Sequence, residues 1–318
     1  MTPTPTNHAL LLRRLVLPMC GLLLLAACKR EPLELQGAAS EPAAAVRQLA
    51  GYLQRNDLAG FARAAVPPAY HAQLEMAWRE NRSRWPLTEL PLDERLVPLL
   101  ATLAAPESEK ALRRSFGNQF ARQDRDLRDA ARALGLFGVQ YVRNEGDYTD
   151  DERHHYAQIV AALSAWAAAA PLGDPARAHA GIDRLAAAAR QADLASEQAL
   201  QAAGMQGSLQ RLAPLSAALK ATVASYGLDL DATLSHLRTG LVEQDGDNAR
   251  VRIHYPLGGT EIDTVVSLER RDGHWYLSDY LRQAEEAMAP PPAPPVVPPA
   301  DPGPADRERS RDDRTATA

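Results

Sequence analysis

The chain has 318 residues and a formal net charge of −5, and 46% of its residues are hydrophobic while only 5% are aromatic. A chain of this length can bury a core large enough to be stable without disulfides, and its acidic balance is opposite in sign to a nucleic-acid-binding surface. We therefore expect a protein with a packed core and no nucleic-acid partner.

The chain opens with a basic and then apolar leader. Arg13 and Arg14 precede an apolar run from Leu15 to Ala27, which offers thirteen positions and includes Pro18. A spanning helix needs roughly 20 apolar residues, so this run is too short to cross a bilayer. A charged start, a short apolar stretch and small residues before a cut are typical of a secretory signal peptide.

The end of this leader, Leu25-Ala26-Ala27-Cys28, resembles the lipobox of bacterial lipoproteins. The resemblance implies cleavage between Ala27 and Cys28 and acylation of Cys28, so that membrane lipid is the first predicted partner. In enterobacterial lipoproteins, an aspartate directly after the lipidated cysteine favours retention in the inner membrane. Lys29 occupies that position here, so we expect attachment to the outer membrane, facing the periplasm. The alternative is a leucine-rich signal that ends near a cysteine by chance and is cut elsewhere.

The composition changes along the chain and predicts an α+β fold that is mostly α. Helical periodicity runs through the middle of the chain, alternation of period two follows it, and prolines dominate the end. The predicted divisions are a signal peptide at 1–27, a tether at 28–42, a helical body at 43–240, a β-meander with a short terminal helix at 241–288, and a disordered proline-rich tail at 289–318.

Several helix boundaries can be placed from capping residues. Thr149 followed by Glu152 fits a capping box, and Asp174-Pro175 puts an acceptor at the N-cap and proline at the first helical position. Later helices are expected at about 206–226 and 231–238. A stripe at mostly helical spacing is interpreted as core, and it comprises Leu112, Phe116, Phe120, Leu127 and Leu134.

From Leu241 onward, apolar residues alternate with polar ones, as in half-buried strands. Asp245-Gly246, Gly258-Gly259 and Asp272-Gly273 separate these runs, which predicts a four-stranded antiparallel meander. The segment 242–281 is similar to the closing strands of nuclear-transport-factor-2-like α+β domains, which end in a hairpin of the form Asp-Gly-x-Trp-x-Leu. The resemblance implies helices in front of a curved sheet, and it fixes no function.

The sequence contains few patterns typical of catalytic sites. His154-His155 behind Asp150, Asp151 and Glu152 is the densest group of metal-ligand types, but the capping box accounts for its acids and a second Glu-x-x-His is missing. Nucleophile elbows, phosphate-binding glycine loops and zinc spacings are absent from the sequence. We predict no catalytic residue, metal or cofactor, although residues distant in sequence can still meet in the fold.

A proline-stiffened segment, "RSRWPLTELPLDER", is the candidate protein-binding surface. Arg84, Trp85 and Leu87 are the residues on which that hypothesis depends, because Trp and Arg are enriched at interface hot spots. The alternative is that the segment packs its apolar residues onto the helical body.

The resulting hypothesis is a lipid-anchored periplasmic protein that acts as an envelope binding or scaffolding module. Two alternatives remain open: an immunity lipoprotein that blocks a toxin or a cell-wall hydrolase, and a hydrolase of envelope polymers.

Overall fold

A computed structural model describes residues 39, 41–90, 93–145 and 148–289. The predicted signal peptide, the cleavage site, Cys28, the tether up to residue 38 and nearly all of the proline-rich tail lie outside these residues. The described helices are α1 (Pro42–Gln54), α2 (Leu58–Ala65), α3 (Pro68–Arg79), α4 (Leu96–Ala104), α5 (Ser108–Gln119), α6 (Asp124–Asn144), α7 (Asp150–Ala169), α8 (Pro175–Ala192), α9 (Glu197–Ser225), α10 (Leu230–Ser235) and α11 (Ser278–Met288).

The strands form one antiparallel sheet in the order β1-β2-β3-β4, with β1 at Arg238–Asp245, β2 at Asn248–Leu257, β3 at Thr260–Arg271 and β4 at His274–Leu277. This confirms the mostly helical α+β fold and the C-terminal meander. Gly258 and Gly259 join β2 to β3 with φ angles of 57° and 86°, and Asp272 and Gly273 join β3 to β4 with 51° and 81°. Positive φ at both central residues is typical of the type I′ turn, whose twist matches that of the two strands of a hairpin.

One face of the sheet packs against α1. Val251, Ile253 and Leu268 are buried there with Trp275, and Val46 of α1 covers them. The opposite face is charged, because alternate residues along each strand point to opposite sides. Asp263 lies 3.6 Å from the guanidinium of Arg252 and 3.6 Å from the ring of His254 on that face.

The largest core lies among the helices. It contains Trp78, Trp85, Leu100, Leu194 and Met205 among other buried residues. The indole nitrogen of Trp78 donates to the carbonyl of Leu200 at 3.0 Å, which satisfies the polar atom of a fully buried ring. Helix α11 packs on both α3 and the sheet, so the helical body and the meander are in direct contact.

The structure corrects three expectations in the second half of the chain. Strand β1 begins at Arg238, so residues 238–240 belong to the sheet and the helix before them is only Leu230–Ser235. The helix expected at about 206–226 is the second part of α9, which begins at Glu197 and breaks at Gly204 with φ 70°. Glu75 accepts the amide N–H of Gln206 at 3.1 Å, so a distant carboxylate caps the second part.

Two capping predictions are confirmed. Thr149 and Glu152 form the capping box of α7, and the Asp174 side chain accepts from the amides of Ala176 and Arg177 at the start of α8. Of the described helices, none has the length and apolarity that crossing a membrane requires.

Candidate functional site

The candidate site is the hairpin of α6 and α7. Helix α7 lies against strand β3, and α6 packs mainly on the other side of α7, as an outer layer of the molecule. The two helices approach closely because glycines face α7. A Cβ atom at Gly135 would lie 1.9 Å from the Ser164 hydroxyl oxygen, and one at Gly138 would lie 2.9 Å from a methyl of Val160.

The connection after α6 is held by one arginine. Arg153 donates from its guanidinium to the carbonyls of Val142 at 2.7 Å, Glu145 at 3.2 Å and Tyr148 at 3.3 Å. Carbonyls in the last turn of a helix have no intrahelical partner, and a basic side chain satisfies them and complements the helix dipole. The hairpin therefore has a fixed end at α7.

Two side chains of α7, those of Gln158 and His155, form hydrogen bonds with the sheet. The carboxamide of Gln158 donates to the carbonyl of Asp263 at 2.8 Å and accepts its amide N–H at 3.2 Å, so it satisfies both backbone groups of one residue of β3. His155 Nε2 lies 2.7 Å from the hydroxyl of Tyr255 in β2. Burial lowers the pKa of His155, and the charge of neighbouring His154 acts in the same direction. Burial also raises the pKa of Tyr255 to about 12.

The predicted ligand-like cluster is thus divided between two environments. His155 points to the sheet, while His154 is exposed and lines a groove of about 360 Å³ with Arg143, Asp150 and other residues of the hairpin. Within the described part of the chain, no three His, Cys, Asp or Glu side chains are placed to hold a metal ion. Asp151 instead pairs with Arg250 at 2.9 Å, across to the charged face of the sheet.

The outer face of α6, away from α7, is apolar and uncovered. Leu134 is 69% exposed, Phe137 69% and Tyr141 51%, and the rings of Phe137 and Tyr141 stack with centroids 6.2 Å apart. Leu136 beside them is 74% exposed. Exposed single apolar residues are ordinary, but several contiguous ones mark a contact surface. We name these four residues the α6 outer face.

This finding contradicts the interpretation of residues 112–134 as one core stripe. Leu112 packs against the helical core, but Phe120 is 43% exposed and Leu134 belongs to the α6 outer face. Phe116 and Phe120 contact each other with ring centroids 6.1 Å apart. Periodicity gives the direction of a side chain around its helix, and it does not tell which face another element covers.

The segment predicted as a protein-binding surface packs inward. Trp85 is 1% exposed and Leu87 is 6% exposed, and both belong to the helical core. Arg84 donates to the carbonyls of Trp78 at 3.2 Å and Ser83 at 3.1 Å, and its guanidinium lies over the Trp78 ring. Trp85 and Leu87 therefore offer no exposed contact area, and burial on the helical body is the alternative that holds.

The side chains of Trp275 and Tyr276 in the β3–β4 hairpin belong to the core, as predicted, since they are 2% and 3% exposed. Cys28, the predicted lipidation site, and Ala27 before it lie outside the described residues, so their assignment stays a prediction.

Comparison with known proteins gives no relative. No family model, no curated protein and no solved structure matches the chain.

Proposed function

We propose that this protein is a lipid-anchored module of a bacterial envelope that acts by binding, with the α6 outer face as its binding surface. Acylated Cys28 holds it at the periplasmic side of the outer membrane, and the body carries the contact. The observation behind the proposal is the exposure of Leu134, Leu136, Phe137 and Tyr141 on one outer helix.

The packing of the hairpin supports a presenting role for α6. Its inner side lies on α7 through Gly135 and Gly138, where an added Cβ atom would clash with Ser164 or Val160. Arg153 fixes its end, and the contacts of Gln158 and His155 fix α7 on the sheet. A rigid support lowers the entropy that binding must overcome. The helix that carries the outer-face side chains is therefore preorganised for binding.

Site-specific photocrosslinking in intact cells tests this role. A photoreactive residue at position 137 of the full chain should capture an envelope component well above the level captured from position 219. Leu219, 51% exposed on α9, is the matched control because it is a comparably exposed apolar residue outside the hairpin. Equal capture from the two positions would contradict the proposed function.

A further inference from the structure

The shape of the uncovered area on α6 favours a broad partner over a single helix. Successive residues of a helix are about 100° apart, so the arc from Leu136 through Phe137 to Leu134 spans about 160°. A coiled-coil partner covers a narrower seam. All three side chains are more than two-thirds exposed, so neither edge of this arc is covered by the molecule itself.

The area is small for a stable protein dimer. Four exposed apolar side chains present on the order of 500 Å², whereas a standard protein interface buries about 800 Å² on each partner. A contact of this size gains importance when the partner is already close, because tethering raises the effective concentration. A membrane that holds the protein through Cys28 would supply that proximity.

The part of α6 after Asp129 carries arginines and no acid, although the whole chain has a net charge of −5. Helix α6 has four basic and three acidic residues in all, and its acids, Asp124, Asp126 and Asp129, lie in its first two turns. No acid occurs between Asp129 and Glu145, so the four apolar residues lie in an acid-free stretch that Arg132 and Arg143 bound. Arg132 lies 3.7 Å from Asp129 in an exposed pair, and the exposed Arg143 lies at the edge of the groove that Asp150 and His154 also line.

We infer that the α6 outer face binds the anionic surface of a lipid bilayer. Leucine and aromatic side chains at the boundary of headgroups and acyl chains, with arginines beside them, are the composition of interfacial helices. The exposed side chains of Arg132 and Arg143 would attract lipid phosphates, and this attraction acts within a Debye length of the surface. The body then lies on the membrane with α6 beneath it.

This inference rests on the proposed binding role of the outer face, and it names the partner of that face. The test uses the full chain, anchored through Cys28 in vesicles of phosphatidylethanolamine and phosphatidylglycerol whose acyl chains carry bromine. Phe137→Trp places a fluorophore on the outer face, and Leu219→Trp is its control. Of the four native tryptophans, Trp78, Trp85 and Trp275 are at most 2% exposed and Trp166 is partly buried. Both variants share this background, and the protein without a substitution measures it.

The expected result is that brominated lipid quenches the Phe137→Trp signal at least about twofold, since an interfacial helix sits about 5–10 Å into the headgroup boundary. The Leu219→Trp signal should not change, and 1 M salt, at which the Debye length is about 3 Å, should weaken the quenching. Vesicles of phosphatidylcholine alone should give less quenching. Equal quenching of the two variants, or none at position 137, would overturn the inference.

A second variant tests the lipid contact without an introduced tryptophan, which could itself insert into the bilayer. Phe137→Glu should remove the protection against hydrogen exchange that vesicles confer on residues 130–141, while Leu219→Glu should leave it unchanged. If position 137 shows no lipid contact but crosslinks to an envelope protein in cells, the bilayer inference is wrong and the proposed function stands. If it shows neither contact, the proposed function fails as well.

Discussion

His155 and Tyr255 join helix α7 to strand β2 through a contact of 2.7 Å between the imidazole Nε2 and the phenol oxygen. Burial lowers the pKa of His155 and raises that of Tyr255 to about 12. Both side chains are therefore neutral in the folded protein near neutral pH. Their role is to close the interface between the hairpin and the sheet.

The lowered pKa of His155 predicts a loss of stability in mild acid. As the pH falls below about 6.5, the unfolded chain binds a proton at this residue while the native state stays neutral, so the free energy of unfolding falls. It stops falling from this cause once the pH is below the pKa of the folded state. Urea denaturation between pH 7.5 and 5 measures the slope of the free energy of unfolding against pH. His71 contributes to this slope with the same sign, because burial lowers its pKa too.

His155→Gln should reduce that slope. Tyr255→Phe is the informative companion, because it removes the hydrogen bond and leaves His155 buried, and burial is the larger cause of the shift. We expect the slope to persist in Tyr255→Phe. A slope that is unchanged in His155→Gln would show that other groups produce the acid sensitivity.

Gln158 should be a structural residue with a measurable effect. Gln158→Leu leaves the amide and carbonyl of Asp263 without their partners. Because these groups are only partly buried, we expect a cost at the lower end of the range of about 1–3 kcal/mol for leaving a buried polar group unpaired. Gln158→Glu keeps the acceptor, so its free energy of unfolding should lie between those of the unsubstituted protein and Gln158→Leu. Hydrogen exchange at the Asp263 amide should accelerate in Gln158→Leu, and unchanged exchange there would contradict this role.

Alanine substitution should lower stability at Gly135 in α6 and raise it at Gly117, which lies outside the hairpin. Gly135→Ala should destabilise the protein by about 1–3 kcal/mol because overpacking forces α6 away from α7. Gly117→Ala in α5, where a Cβ meets nothing within 4 Å, should stabilise it by about 0.5–1 kcal/mol. Ser164→Gly should restore much of the loss in Gly135→Ala. Without that rescue, the steric explanation would be wrong.

Trp85 should affect stability and not binding. Trp85→Ala removes a ring that is 1% exposed, and such truncations cost about 3–5 kcal/mol. Leu90→Ala in the same segment should change stability by less than about 0.5 kcal/mol, because Leu90 is 49% exposed. Thermal unfolding of both variants tests this, and a Trp85→Ala protein as stable as the parent would place Trp85 outside the core.

Much of the fold follows from local sequence signals. The Gly258-Gly259 and Asp272-Gly273 turns and the Thr149 and Asp174 caps each act over a few residues, so sequence alone locates them. Alternation in the sequence puts the start of β1 three residues too late, because Arg238 to Gly240 carry no apolar alternation. The cap of the helix that follows the break at Gly204 is supplied by Glu75, which is far away in the chain.

The candidate site was the least predictable part. Leu134 and Phe137 have the sequence appearance of core residues, and only the position of α6 outside α7 leaves them exposed. Trp85 has the composition of a binding residue and is buried. In both cases the deciding fact is which elements pack against each other, and that is a tertiary property.

In the proposed function, attachment through Cys28 brings the α6 outer face to a membrane, so the mass of the mature N-terminus is the most direct measurement. Mass spectrometry of the protein extracted from the membrane fraction should find a chain that begins at Cys28 and carries acyl groups. Cys28→Ser should release the protein from that fraction or leave the leader uncut. A mature chain that begins elsewhere, or an unmodified Cys28 in a protein that stays with the membrane, would contradict the anchor.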